Sequence, residues 1–154
     1  MTVDIVQKEN KVLRRISEEV SVADMVSPKI QKIIADMKEA MHSQPDAVAI
    51  AAPQIGVSLR IFVVSGRAFK IMEKNNKKNK NNKNSIEEDS DTPEDKVFIN
   101  PKISKLSKTT KFMEEGCLSV RYLYGKVRRA EKATVEAYNE KGEKFKRGGS
   151  GLLA

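Results

Sequence analysis

The sequence predicts an α+β domain, in which one N-terminal helix precedes several mostly antiparallel strands. Three observations predict it. Ile30, Ile33, Ile34, Met37 and Met41 recur at spacings of three and four, the mark of one apolar helix stripe. Short runs rich in branched and aromatic residues follow, beginning with Arg60 to Val64. Asn139-Glu140-Lys141-Gly142 then joins two such runs as a hairpin turn, with Gly142 free to take a positive φ.

Each element has its local reason. Residues 1 to 26 scatter apolar side chains, so part of this entry segment should pack along the domain. Ser27 is a good N-cap and Pro28 suits the first helical position. Gln44-Pro45-Asp46 ends the helix, because the residue before a proline resists helical angles. Ala47 to Gly56 (AVAIAAPQIG) is small, apolar and rich in turn formers. Val97 to Pro101 resumes structure as VFINP. Ile103 to Leu106, Thr110 to Met113, Lys126 to Arg129, Ala133 to Tyr138 and Glu143 to Arg147 read as further strands. Ser150 stands as the cap of a new helix whose apolar face Leu152 and Leu153 would begin. That helix has no room in the residues given, so the reading expects a single domain over 1–154 cut before its last helix.

Residues 67 to 96 differ from the rest. The lysine-asparagine run and the acidic stretch after it cannot bury enough apolar surface to offset their ordering entropy. They are expected to form a disordered insert. The net charge of +8 invites a nucleic-acid reading. Six lysines and one glutamate lie between Lys70 and Asn84, without arginine or aromatic rings after Phe69. Sequence-specific readout prefers arginine forks and stacking rings. No specific nucleic acid is therefore expected, and the lysines offer at most a weak attraction to the ribosome surface. No apolar run is long enough to span a bilayer and no signal pattern opens the chain, so a cytoplasmic protein without a membrane is expected.

The chemistry-bearing segment is Glu115-Gly116-Cys117-Leu118-Ser119. Cys117 is the sole cysteine, which excludes an internal disulfide. Its thiol has three readings: a small buried apolar group, a nucleophile, or a metal ligand. A nucleophile needs a base, and the sole histidine is His42 at the end of the helix, where interaction with the helix carbonyls is the ordinary role. One cysteine and one histidine do not complete a catalytic metal site.

EGCLS resembles the second motif of the peptide deformylases, and AVAIAAPQIG is similar to their first, GxGxAAxQxG. INP at Ile99 to Pro101 falls between them as in that family, and GGSGLLA resembles its entry to the helix carrying a third motif, HExxH. The resemblance covers essentially the whole chain. It implies a peptide deformylase-like α+β fold lacking the C-terminal central metal-binding helix. It also implies metal-dependent removal of the formyl group from the N-terminal methionine of new proteins. Cys117 would be a metal ligand, with Fe2+ usual and Zn2+, Ni2+ or Co2+ as substitutes. Gln54 and the backbone N–H of Leu118 would hold the developing oxyanion. Val48, Ala49 and Gly56 would border the formyl-methionyl peptide, and Glu115, paired with Arg129, would hold the motif in place.

This sequence departs from the family at three kinds of position. Ala47 and Ala49 stand where glycine is usual, and alanine is strained if either site needs a positive φ. Arg121 stands where proline is common, followed by Tyr122-Leu123-Tyr124, readable as substrate wall or core edge. HExxH itself is not in the sequence, so the two histidine ligands and the catalytic glutamate are not among these residues. The resemblance therefore implies a chain inactive by itself, or alternatively a non-catalytic formyl-methionyl peptide-binding protein.

Overall fold

The computed structural model describes residues 3–71 and 93–154. Helix α1 (Pro28–His42) starts where Ser27 Oγ accepts the Ile30 N–H at 3.4 Å, with Pro28 in the first turn. Ser27→Ala should cost about 1 kcal/mol, read as a lowered urea midpoint with unchanged slope. The apolar stripe of α1 is buried at Ile30, Ile34, Met37, Ala40 and Met41. It packs into one cluster with Ile50, Ile61, Val63, Val97 and Ile99.

Those partners come from a five-stranded antiparallel sheet. Its strands are β1 (Ala49–Ala51), β2 (Ile61–Val64), β3 (Lys96–Leu106), β6 (Lys132–Tyr138) and β7 (Lys144–Ser150), lying side by side in that order. Side chains alternate across a strand. Ile61, Val63, Val97 and Ile99 therefore meet α1, while Phe62 stacks on Phe98 on the opposite face at 4.4 Å between ring centroids. Phe145 of β7 joins that face at 5.2 Å from Phe98. Strands β4 (Thr110–Cys117) and β5 (Val120–Ala130) form a separate two-stranded ribbon.

The α+β expectation is met, with longer strands than short apolar runs suggest. Pro101 lies inside β3, where the ladder is irregular between Ile99 and Lys102, and a proline is tolerated at such a break. Gly142 has φ +76° and closes the β6–β7 hairpin. The flank of the expected insert is structured: residues 66–71 are helical and Lys96 already belongs to β3. The rest of the lysine-asparagine and acidic segment, 72–92, lies outside the described residues.

Two local expectations are corrected. His42 does not turn to the helix carbonyls; its Nε2 meets the Asp95 carboxylate at 2.8 Å. Asp95 also accepts the Gly66 N–H at 3.0 Å, so one carboxylate joins the end of α1 to the end of β2. Ser150 makes no side-chain cap, and Gly151–Leu153 is a single 3-10 turn. Among the described residues no helix is long and apolar enough to cross a membrane.

Candidate active site

A groove of about 510 Å³ runs between the edge of the five-stranded sheet and the β4–β5 ribbon. One wall is Asp46, Ala47, Val48 and Ala49; the other includes Met113, Glu115, Cys117 and Arg121. Gln54 stands where the walls approach.

The first wall is an open strand edge. Among the described residues β1 is the outermost strand and pairs with β2 alone. The Ser65 N–H donates to the Val48 carbonyl at 2.9 Å. Backbone groups of an antiparallel strand point alternately to either side, so Val48 and Ile50 face β2 while Ala49 turns its N–H and C=O toward the groove. Of the three residues expected to border a peptide, Ala49 offers backbone. Val48 offers a side chain, since its carbonyl is already bonded. Neither Ala47 nor Ala49 has a positive φ, so the glycine-to-alanine departures carry no backbone strain here.

After β1 the chain tightens into a 3-10 turn, Ala52–Ile55, which Gly56 ends with φ +84°. Gly56 does not line the groove, contrary to the substrate-bordering role that the motif implies; its task is to close this turn. The turn aims Gln54. Its Oε1 accepts the Ala51 N–H at 2.9 Å, which fixes the amide plane. The opposite end, Nε2, is left to donate toward Ser119 Oγ at 3.3 Å and Cys117 Sγ at 3.8 Å.

Cys117 ends β4 beside the two-residue turn Leu118-Ser119. The Leu118 side chain is buried in the α1 cluster, which anchors the turn and leaves the thiol exposed. The buried-apolar reading of Cys117 is thereby excluded. A Cβ at Gly116 would lie 2.7 Å from the Tyr124 ring, so any side chain there would have to displace that exposed ring. The entry segment ties both walls together. Val6 N–H donates to the Gln54 carbonyl at 2.9 Å, and Gln7 Nε2 to the Leu118 carbonyl at 3.3 Å.

Glu115 and Arg129 form a two-pronged pair across the ribbon, at 2.6 and 2.8 Å. The Arg129 hydrogen bonds, with its charge, hold the Glu115 carboxyl below the usual carboxylate range, and Glu115 raises Arg129 in return. A carboxyl lowered in the folded state lends stability above its ordinary value, about 4.3, and that stability is lost as pH falls through the folded value. Acid titration should thus loosen the ribbon pair below pH ~4 in wild type, with a smaller acid loss in Glu115→Gln, measured by urea unfolding at each pH. Both groups are largely solvated, so the effect is small.

Sequence reading missed Asp46, Met113 and Leu152 as groove residues. Their types carry no chemical signature, and only the approach of the two sheets assembles them. Cys117 has a carboxamide and a hydroxyl beside it, which are weak metal donors. Among the described residues no three His, Cys, Asp or Glu side chains lie together to hold a metal ion. These residues supply one strong donor and do not by themselves fit a metal.

Residues 2–154 match the family model described as polypeptide deformylase. Peptide deformylase 1 of Ralstonia nicotianae is 34% identical over 151 residues, 98% of this chain and 74% of that protein. A Legionella pneumophila peptide deformylase structure superimposes with TM-score 0.76 at 34% identity, covering 100% of this chain and 75% of that one. The Met-Ala-Ser-bound class I type b enzyme of Acinetobacter baumannii gives TM-score 0.77 at 26% identity, covering 100% and 88%. With the motifs, the groove and the fold in agreement, the chain belongs to the peptide deformylase family of metal-dependent hydrolases.

Proposed function

We propose that this chain binds the formyl-methionyl end of new peptides in the cytoplasm and contributes one side of the site that hydrolyses the formyl amide. The observation that carries this reading is the convergence of Gln54 Nε2 and Cys117 Sγ at the end of a groove whose wall is an unpaired strand edge. An extended peptide adds to such an edge through its own backbone, here against Ala49. Its formyl group then reaches Gln54 and the Leu118 N–H, donors suited to an amide oxygen that gains charge. Glu115, bound to Arg129, keeps the β4 end of the groove in register.

Cys117 is the ligand this chain offers to a metal, with ferrous iron first and zinc, nickel or cobalt as substitutes. The remaining donors and the base that moves the proton are not among the described residues, and hydrolysis requires them. Gln54, Leu118 and Ala49 bind and orient the substrate whether or not those groups are in place.

The test has two arms. Calorimetry should show formyl-Met-Ala-Ser binding to the 154-residue chain, and lost binding when Ala49 is replaced by proline, which cannot donate at the edge. The full product of the gene, loaded with ferrous iron under nitrogen, should release formate. Binding without formate from that full product would establish the non-catalytic reading. Neither binding nor formate from a folded product would refute both.

A further inference from the structure

Beside Cys117 the ribbon is interrupted. Cys117 pairs with Val120 while Gly116 pairs with Tyr124, so Arg121, Tyr122 and Leu123 have no opposite number on β4. Bulges of this kind re-aim side chains, and they gather near active sites. This one leans across the groove. Arg121 reaches the opposite wall, with Nη1 at 3.4 Å from both Asp46 carboxylate oxygens and Nη2 on the Gln44 side-chain oxygen.

The centre of the bulge is Tyr122, with φ +64°. Among the described residues just one other non-glycine has a positive φ, Asn100, and its side chain is fully engaged with Val20. Tyr122 has no such compensation. Among the described residues its ring has no hydrogen-bonding or stacking partner; it lines the groove and is 92% exposed. A bulky residue held in that backbone region and presenting its ring to solvent is unfavourable on both counts. The charges around it are already matched: Arg121 with Asp46, and Arg129 with Glu115. What the groove mouth leaves unmatched is an aromatic surface.

We propose that Tyr122 is a specificity-determining residue that packs against the side chain following the formyl-methionine and favours a large apolar or aromatic group there. This rests on the peptide-binding reading above. A substrate strand running along β1 toward Asp46 passes beneath the Arg121 bridge, which brings its next residue to the bulge.

The probes are formyl-Met-X-Ser peptides with X as Ala, Phe, Asp or Lys, titrated by calorimetry into the 154-residue chain and into Tyr122→Asn and Tyr122→Gly. Asparagine and glycine both accept positive φ, so the bulge is kept and the melting temperature should hold or rise. The expected result is that wild type binds the Phe peptide about ten-fold tighter than the Ala peptide, and that this ratio falls to about one in both variants. Equal affinities in wild type, or a preference that survives both substitutions, would overturn the proposal. A preference for Asp that disappears in Arg121→Met would overturn it too, and would assign selectivity to Arg121. Absence of binding by every peptide to a folded chain would remove the substrate reading and this inference with it.

Discussion

Gln54→Glu is expected to lower turnover of formyl-Met-Ala-Ser by about 10²–10³-fold while leaving the melting temperature nearly unchanged. The side chain has two separable tasks. Oε1 accepts the Ala51 N–H and holds the 3-10 turn. Nε2 points at Cys117 and Ser119, where a substrate oxygen would receive it. A glutamate keeps the first task and abolishes the second, and it adds an anion beside the thiol. Gln54→Ala loses both, so its turnover should fall similarly and its stability should also drop by about 1 kcal/mol. Steady-state formate release by the iron-loaded full gene product, set beside thermal melts, separates the two. Turnover within a few-fold of wild type in Gln54→Glu would show that the carboxamide is not the oxyanion donor.

Asn100→Ala should be the most costly of the single-residue stability changes considered, at about 2–4 kcal/mol. Asn100 Oδ1 accepts the Val20 N–H at 2.9 Å, and Nδ2 donates to the Val20 carbonyl at 2.8 Å. One side chain thus acts as a strand partner for the entry segment, and the φ of +51° is the geometry that lets it do so. Alanine would leave two partly buried backbone groups unpaired and would itself be strained. Asn100→Gly removes the strain but not the loss of bonds, so it should fall between wild type and alanine in urea unfolding. A loss under about 0.5 kcal/mol for alanine would mean that water replaces the side chain without penalty.

Asn100 also shows where sequence reading stops. INP was legible as a family tripeptide, but nothing in three letters says that the asparagine clamps Val20. The helix was legible because Ser27-Pro28 and a five-residue apolar stripe are local signals. The strands were legible as regions, and their lengths were not. Lys102, Ser104 and Lys105 in β3 are polar because that part of the strand lies beyond α1 and faces water. Cys117, Gln54 and Glu115 were found through their motifs, and geometry brings all three to one groove. Gly56 shared a motif with them and sits elsewhere, since a glycine can serve a turn as readily as a ligand. The bulge could not be anticipated, because Arg121-Tyr122-Leu123 reads as ordinary strand until its register against β4 is known.

The threading of the entry segment has a consequence for timing. Val6 and Gln7 hold the carbonyls of Gln54 and Leu118, contacts that bridge up to 111 positions of chain. A polypeptide is made from N- to C-terminus, so Val6 and Gln7 are synthesised long before Leu118 and must wait for it before the groove can close. Until Leu118 emerges, Gln7 lacks this partner and the open edge of β1 lacks its facing wall. The groove is therefore completed only after Leu118 has been synthesised, and a nascent chain cannot assemble both of its walls before then.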